Sequence, residues 1–244
     1  MSISAGSHGE SAGSGIVIAV DGPSASGKSS TSRGAARALG LRYLDTGAMY
    51  RALTWWLLAR GIPVDDADAV AQHVGGPVIE VGTDPDDPWV TVDDRDVSAA
   101  IRSREVSGAV SAVARVPQVR ARLIALQREI IARARAEGRG IVAEGRDIGT
   151  VVAPDAVVKV FLTASEVARA TRRTADLAAD PTATVTTTQA EQARRDRMDA
   201  AQLARAADAV DIDSTLFSLG DVVEMIAGLA VQRAKLPDTA RTTR

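Results

Sequence analysis

Short apolar runs alternate along this chain with longer stretches of helical spacing. The runs fall at 16–20, 41–44, 141–143, 157–162 and 209–212, each too short for a buried helix and read as a strand covered on both faces. Between them, 30–39, 48–60, 103–115, 117–137 and 219–232 carry the helical pattern. The longest opens with Pro117 and sets Val119, Leu123, Leu126, Ile130 and Ile131 along one stripe. Strands alternating with helices predict an α/β fold, a five-stranded parallel sheet with helices on both faces. In such sheets a ligand lies beyond the C-terminal strand ends, so the residues that follow each run matter most.

Two stretches break the alternation. Within 77–97, runs at 78–81 and 89–92 read as strands split by an Asp- and Pro-rich turn, with 93–96 as a second turn. This predicts a small antiparallel insert, preceded by a short acidic helix over 65–74. The stretch 165–205 is rich in Ala, Arg, Thr and Asp, poor in large apolar residues and broken near Asp180-Pro181, and it reads as a mobile helical segment. The Gly- and Ser-rich 1–15 and the polar 233–244 read as flexible tails flanking a domain over 16–232.

The first strand runs into G-P-S-A-S-G-K-S over 22–29, a full match to G-x-x-x-x-G-K-[ST] between a strand and a helix. Here Gly22, Pro23, Ser24, Ala25, Ser26, Gly27, Lys28, Ser29 and the adjoining Ser30 would wrap the phosphates of ATP. Glycines let the backbone N–H groups turn inward at phosphate oxygens, and the helix N-terminus adds partial positive charge. Lys28 can reach the β- and γ-phosphates, and the Ser29 hydroxyl can bind Mg²⁺. The rival reading is a chance Gly/Ser turn. Against it stands the scarcity of lysine, since only Lys28, Lys159 and Lys235 occur among 29 basic residues.

Composition narrows the chemistry further. A net charge of -2 gives no general pull toward nucleic acid polymers or anionic membranes, so any basic site is local. There is no cysteine, which excludes disulfides and thiolate chemistry, and His8 and His73 have no partners at metal-ligand spacing. No apolar run is long enough to span a membrane, and the start lacks the order of a signal peptide. A cytoplasmic protein is the expectation.

Phosphoryl transfer needs cations that follow the charge of the moving group. Candidates after the strands are Thr46, Arg51, Arg146 and Asp147, joined by Arg169, Arg172, Arg173, Arg194 and Arg195 in the 165–205 segment. Arg169 and Arg173 lie four apart and share a helix face. Arginine suits the task because its planar fork grips phosphate with two hydrogen bonds and stays charged. Each could equally be a solvated surface residue, as Arg33, Arg37, Arg133 and Arg135 are taken to be. Asp45 could be a plain helix cap or part of the site.

The stretches I-A-V-D-G-P-S-A-S-G-K-S-S, L-D-T-G-A-M-Y-R, D-V-S-A-A-I-R, V-P-Q-V-R, E-G-R-D-I-G-T-V-V and F-L-T-A-S resemble the bacterial cytidylate kinase family over about 16–230. The D-T-G-A-M-Y-R and E-G-R-D-I-G-T-V-V pair is far more specific than the phosphate loop. The resemblance implies a nucleoside monophosphate kinase core of the P-loop NTPase class, an enlarged monophosphate-binding insert at about 62–105 and a lid at about 165–205. It implies that Thr46, Gly47, Arg51 and Arg146 hold the CMP phosphate, and that Ser111, Arg120 and Asp147 read the cytosine edge. It gives Arg169 and Arg173 to ATP, Arg195 to the transferring phosphate, Asp199 to the ribose and Glu144 to the phosphates or their Mg²⁺. The family block R-D-x-x-D-S-x-R is matched only by Arg195-Asp196 and Asp199, because Gln202 stands where the second Arg belongs. Arg205 is a candidate replacement. The implied enzyme is a monomer that uses Mg²⁺ and ATP to phosphorylate CMP and dCMP. Two alternatives remain: a kinase for another acceptor such as UMP, and a non-catalytic nucleotide-binding module.

Overall fold

A computed structural model describes residues 15–176 and 184–234, and the readings made on 1–14, on the Asp180-Pro181 break and on 235–244 lie outside the described residues. The wholly buried β1 (Val17–Asp21) delivers its end to the phosphate loop, behind which α1 (Lys28–Leu39) begins. β2 (Arg42–Asp45) runs directly into α2 (Thr46–Ala59), because the Asp45 carboxylate accepts from the Ala48 N–H and caps the helix. Asp66 caps α3 (Ala67–His73) in the same way. β3 (Ile79–Val81), β4 (Val90–Val92) and β5 (Arg95–Asp96) form a separate antiparallel sheet. α4 (Arg104–Ala114), capped by Ser103, and α5 (Pro117–Ala136), opened by its proline, return the chain to the core.

β6 (Ile141–Gly145) then leads through Arg146-Asp147 into a π-helical turn over Ile148–Val152, and β7 (Val158–Thr163) follows. α6 (Glu166–Asp176) and α7 (Val185–Asp199) pack on each other, and β8 (Val210–Asp213) and α8 (Leu219–Ala234) complete the fold. The main sheet has the order β2-β6-β1-β7-β8, with every pairing parallel. Its two faces are buried separately. Leu44, Met49, Leu53, Leu123 and Ile148 pack on one side, and Ile18, Tyr43, Val142, Leu162 and Ile226 on the other. Each large side chain buried in this way contributes about 1.5–3 kcal/mol.

The five-stranded α/β prediction holds, with four strands displaced by one residue and the third, expected over 141–143, running on through Gly145. Three local readings need correction. Only Asp93 and Asp94 form the second turn, at φ 51° and 63°, while Arg95 and Asp96 pair back on Val92 and Thr91 as a third strand. Two successive left-handed residues give the tight hairpin whose twist suits such a return, and Asp tolerates that conformation. α8 continues through Ala234, two residues into the expected tail. Arg33 and Arg37 do not simply face water. Arg33 Nε donates to the Pro85 carbonyl at 3.1 Å, and Arg37 binds Asp86 at 2.6 Å, fastening the insert to α1. Arg135 likewise pairs with Asp155 at 2.7 Å.

Candidate active site

The phosphate loop is built by backbone constraint. Gly22 has φ 153°, and a Cβ there would lie 2.1 Å from the Leu162 carbonyl oxygen of β7. Gly27, at φ 93°, turns the chain into α1. Lys28 is buried, and its Nζ donates to the Pro23 carbonyl at 2.7 Å. Burial, followed by the nearby Arg146 charge, pushes the Lys28 ammonium down to about 7 against the pull of Glu144, Asp21 and Asp45. The Ser26 hydroxyl is buried without a partner, while Ser29 and Ser30 are exposed at the start of α1.

The ends of β2 and β6 supply the facing side. Asp45 serves two purposes at once: one oxygen caps α2 and the other holds Arg51 Nη2 at 2.9 Å. Thr46 is buried, and its hydroxyl donates to the Glu144 carbonyl at 2.7 Å. A Cβ on Gly47 would sit 3.2 Å from Arg51 Nη1, so the glycine leaves that guanidinium its space. Arg146 reaches back to the phosphate loop, donating from Nη1 to the Gly22 carbonyl at 3.1 Å and from Nε to Asp199 at 3.3 Å. Asp147 pairs with Arg120. Ser111, on α4, is 3% exposed and its hydroxyl has no partner. Two groups that alone would read as helix-surface residues are thus half-buried or buried.

The 165–205 segment closes the third side. Arg169 is buried and donates to Ser24 O at 3.1 Å and Asp196 at 2.6 Å. Arg172 lies over the loop and binds both the hydroxyl and the carbonyl of Ser214, at 3.0 and 2.7 Å. Arg195 is half-buried with its Nε unpartnered. Burial and the charges of Arg146, Arg51 and Arg173 push it down to about 10, which places those three guanidiniums within electrostatic reach of Arg195. Arg194 is exposed. The Gln202 amide donates to the Ala114 carbonyl of α4 at 2.9 Å. Arg205, the candidate replacement for the missing arginine, is turned to the Asp211 carboxylate, which its Nη2 and Nε meet at 2.7 and 2.8 Å.

Three contributors escaped sequence reasoning. The Tyr43 hydroxyl donates to the buried Glu144 carboxylate. Burial and Asp45 push that carboxyl up, while Lys28, Tyr43 and Ser29 pull it down. The Ser214 hydroxyl donates to the Ser26 carbonyl at 3.1 Å. Asp21, under the loop, accepts two backbone bonds. The signal for Ser214 was its place directly after the last strand, Val210–Asp213, whereas Tyr43 was hidden as one more apolar strand position.

Taken together, a nucleotide phosphate loop, a cationic cluster and a carboxylate–guanidinium pair face one another across the sheet end. The cytidylate kinase family model matches residues 18–232. A cytidylate kinase of Streptomyces coelicolor is 50% identical over 219 residues, covering 89% of this chain and 94% of the relative. Those of Streptomyces avermitilis and Mycobacterium avium are 48% and 45% identical, covering 89% and 91% of this chain and 94% and 97% of theirs. The chain belongs to the cytidylate kinase family.

Proposed function

We propose that this protein transfers the γ-phosphoryl group of ATP to CMP, and to dCMP, giving ADP and the nucleoside diphosphate. The observation that carries the reading is the junction of two strand ends, where Arg146 bonds the Gly22 carbonyl at 3.1 Å beside the Asp147–Arg120 pair. ATP phosphates enter the 22–30 loop, with Lys28 on the β- and γ-oxygens and Arg169, Arg172 and Arg173 on the lid side. Thr46, Gly47, Arg51 and Arg146 hold the acceptor phosphate, and Arg195 follows the charge between donor and acceptor. On the base, Asp147 accepts from the exocyclic amino group of cytosine, while Arg120 and Ser111 donate to the ring oxygen and nitrogen. Asp199 takes the ribose hydroxyls. The Gln202 amide is turned to Ala114 instead of standing as an arginine beside Asp199, and dCMP is expected as an acceptor alongside CMP.

In-line transfer through a loose transition state asks for positioned cations and needs no strong base or covalent intermediate. The Ser29 hydroxyl and the neighbouring Glu144 carboxylate are oxygen donors of the kind Mg²⁺ accepts, so the site suits the ion that accompanies ATP. Bound there, Mg²⁺ would neutralise phosphate charge. The insert at about 62–105 carries the monophosphate side, and the 165–205 segment acts as the lid that excludes water as a competing acceptor. No helix among the described residues is long and apolar enough to cross a membrane. A cytoplasmic monomer acting on two small molecules is the form proposed.

The test is ADP release from ATP and Mg²⁺ with CMP, dCMP, UMP, AMP and GMP. Turnover with CMP and dCMP well above UMP is expected. Preference for UMP would reassign the acceptor, and ATP binding without acceptor-dependent ADP release would leave a non-catalytic module.

A further inference from the structure

Asp21 is a buried carboxylate with no part in the chemistry set out above. It ends β1, directly before Gly22, and is 4% exposed. Its Oδ1 accepts from the Ile148 N–H at 2.7 Å, and its Oδ2 accepts from the Gly149 N–H at 2.8 Å. Those amides open the π-helical turn that starts right after Asp147. A helix start leaves such N–H groups without partners, and an Asp in the preceding position normally folds its own carboxylate back onto the second or third of them, here Gly149 or Thr150. Asp147 occupies that position and makes no such bond. Its carboxylate is instead turned to Arg120.

We infer that Asp21 caps this turn from another strand in place of Asp147, a positioning residue that leaves the Asp147 carboxylate free to face the acceptor base. The inference rests on the proposed role of Asp147 in reading cytosine. Without Asp21, the freed Gly149 amide would compete with Arg120 and the base for the Asp147 carboxylate. Base discrimination would then suffer, while the phosphate loop kept its ATP. Asp21 also joins the donor and acceptor sides at their shared edge, where Arg146 bonds the Gly22 carbonyl.

Only an ionised carboxylate presents acceptors to both N–H groups, since an amide offers one oxygen and two donors. Asp21→Asn is therefore the test, read as the ratio of kcat/KM for CMP to that for UMP, together with the Kd for ATP. The ratio is expected to fall about tenfold or more, the kinetic equivalent of one displaced charge-assisted hydrogen bond, with the Kd for ATP within about twofold of wild type. An unchanged ratio, or equal weakening toward ATP and both acceptors, would overturn the inference. If Asp21→Asn does not fold, Asp21→Ser, which removes the carboxylate with a smaller side chain, is held to the same outcomes. A wild-type protein without preference for CMP over UMP would defeat the base-reading role itself, which separates the two failures.

Discussion

Gly22→Ala adds one methyl group at the place where the phosphate loop leaves the sheet. The new Cβ would stand 2.1 Å from the Leu162 carbonyl oxygen, where an ordinary contact needs about 3.4 Å or more, so loop and β7 must separate by more than an ångström. β1 and β7 are paired up to Asp21 and Phe161, so the opening strains a central parallel pairing. A side chain at φ 153° adds backbone strain of about 1–3 kcal/mol. Steric displacement in a packed interior costs about another 1–3 kcal/mol. Together these amount to roughly 2–6 kcal/mol, a fall in Tm of about 4–24 °C for a chain of this size. Gly27→Ala is the control, since its φ of 93° imposes the strain, but its nearest contact, Arg172 Nη1, is 3.7 Å away and imposes no clash. Calorimetry on the two variants separates the contributions. Gly22→Ala should melt several degrees below Gly27→Ala, and equal melting temperatures would refute the clash.

Lys28→Ala should lower kcat by about a hundredfold or more with the fold intact, because it removes a cation from the phosphates and relieves a buried charge; near-normal turnover would remove Lys28 from the mechanism. Asp147→Ala should cut kcat/KM for CMP by about ten- to a hundredfold and for UMP much less, and equal losses would show that this carboxylate does not read the base. Burial pushes the Asp21 carboxyl up to about 6, against the pull of its two backbone bonds, so the folded protein holds that proton more tightly than the unfolded chain with its 3.8. The contribution of Asp21 to ligand-free stability should therefore fall as pH rises from 3.8 through 6, by about 3 kcal/mol. Urea titrations of wild type and Asp21→Asn should differ in slope over that window, and parallel curves would exclude Asp21 as the source.

The sheet and the phosphate loop were legible because both are written locally. Five apolar runs need only their own residues to declare a buried strand, and the Gly22–Ser29 spacing follows from what backbone N–H groups must do around a phosphate. Strand-end position also singled out Arg51, Arg146 and Asp147, of which Arg146 reaches the Gly22 carbonyl of the phosphate loop. What stayed hidden depends on residues far apart in the chain. Tyr43 meets Glu144, Asp21 meets Ile148 and Ser214 meets Ser26 only once parallel pairing has brought the strand ends together. Arg205, the candidate replacement for the missing arginine, pairs with Asp211, a contact that helical or strand periodicity does not encode. Arg33 and Arg37 were taken for surface charge since nothing in their own helix reveals the 83–86 strap that crosses it.

The polar accounting of the site does not close without substrates. Burial and three neighbouring guanidiniums hold Arg195 down, with Asp199 opposing them. Lys28 feels burial and Arg146 in the same sense. Glu144 gives limited relief, because burial and Asp45 push its own carboxyl toward the neutral form. The Ser26 and Ser111 hydroxyls and Nε of Arg51 and Arg195 are buried without partners. Such groups cost stability in the ligand-free protein, of the order of 1–3 kcal/mol each. That cost is the form preorganisation takes here. In the proposed transfer, donors held in place beforehand need no rearrangement when the phosphoryl group moves between ATP and its acceptor. On that reading the cationic cluster is a poor contributor to the fold and a good one to transfer. Substitutions within it should weaken binding and turnover far more than they lower Tm.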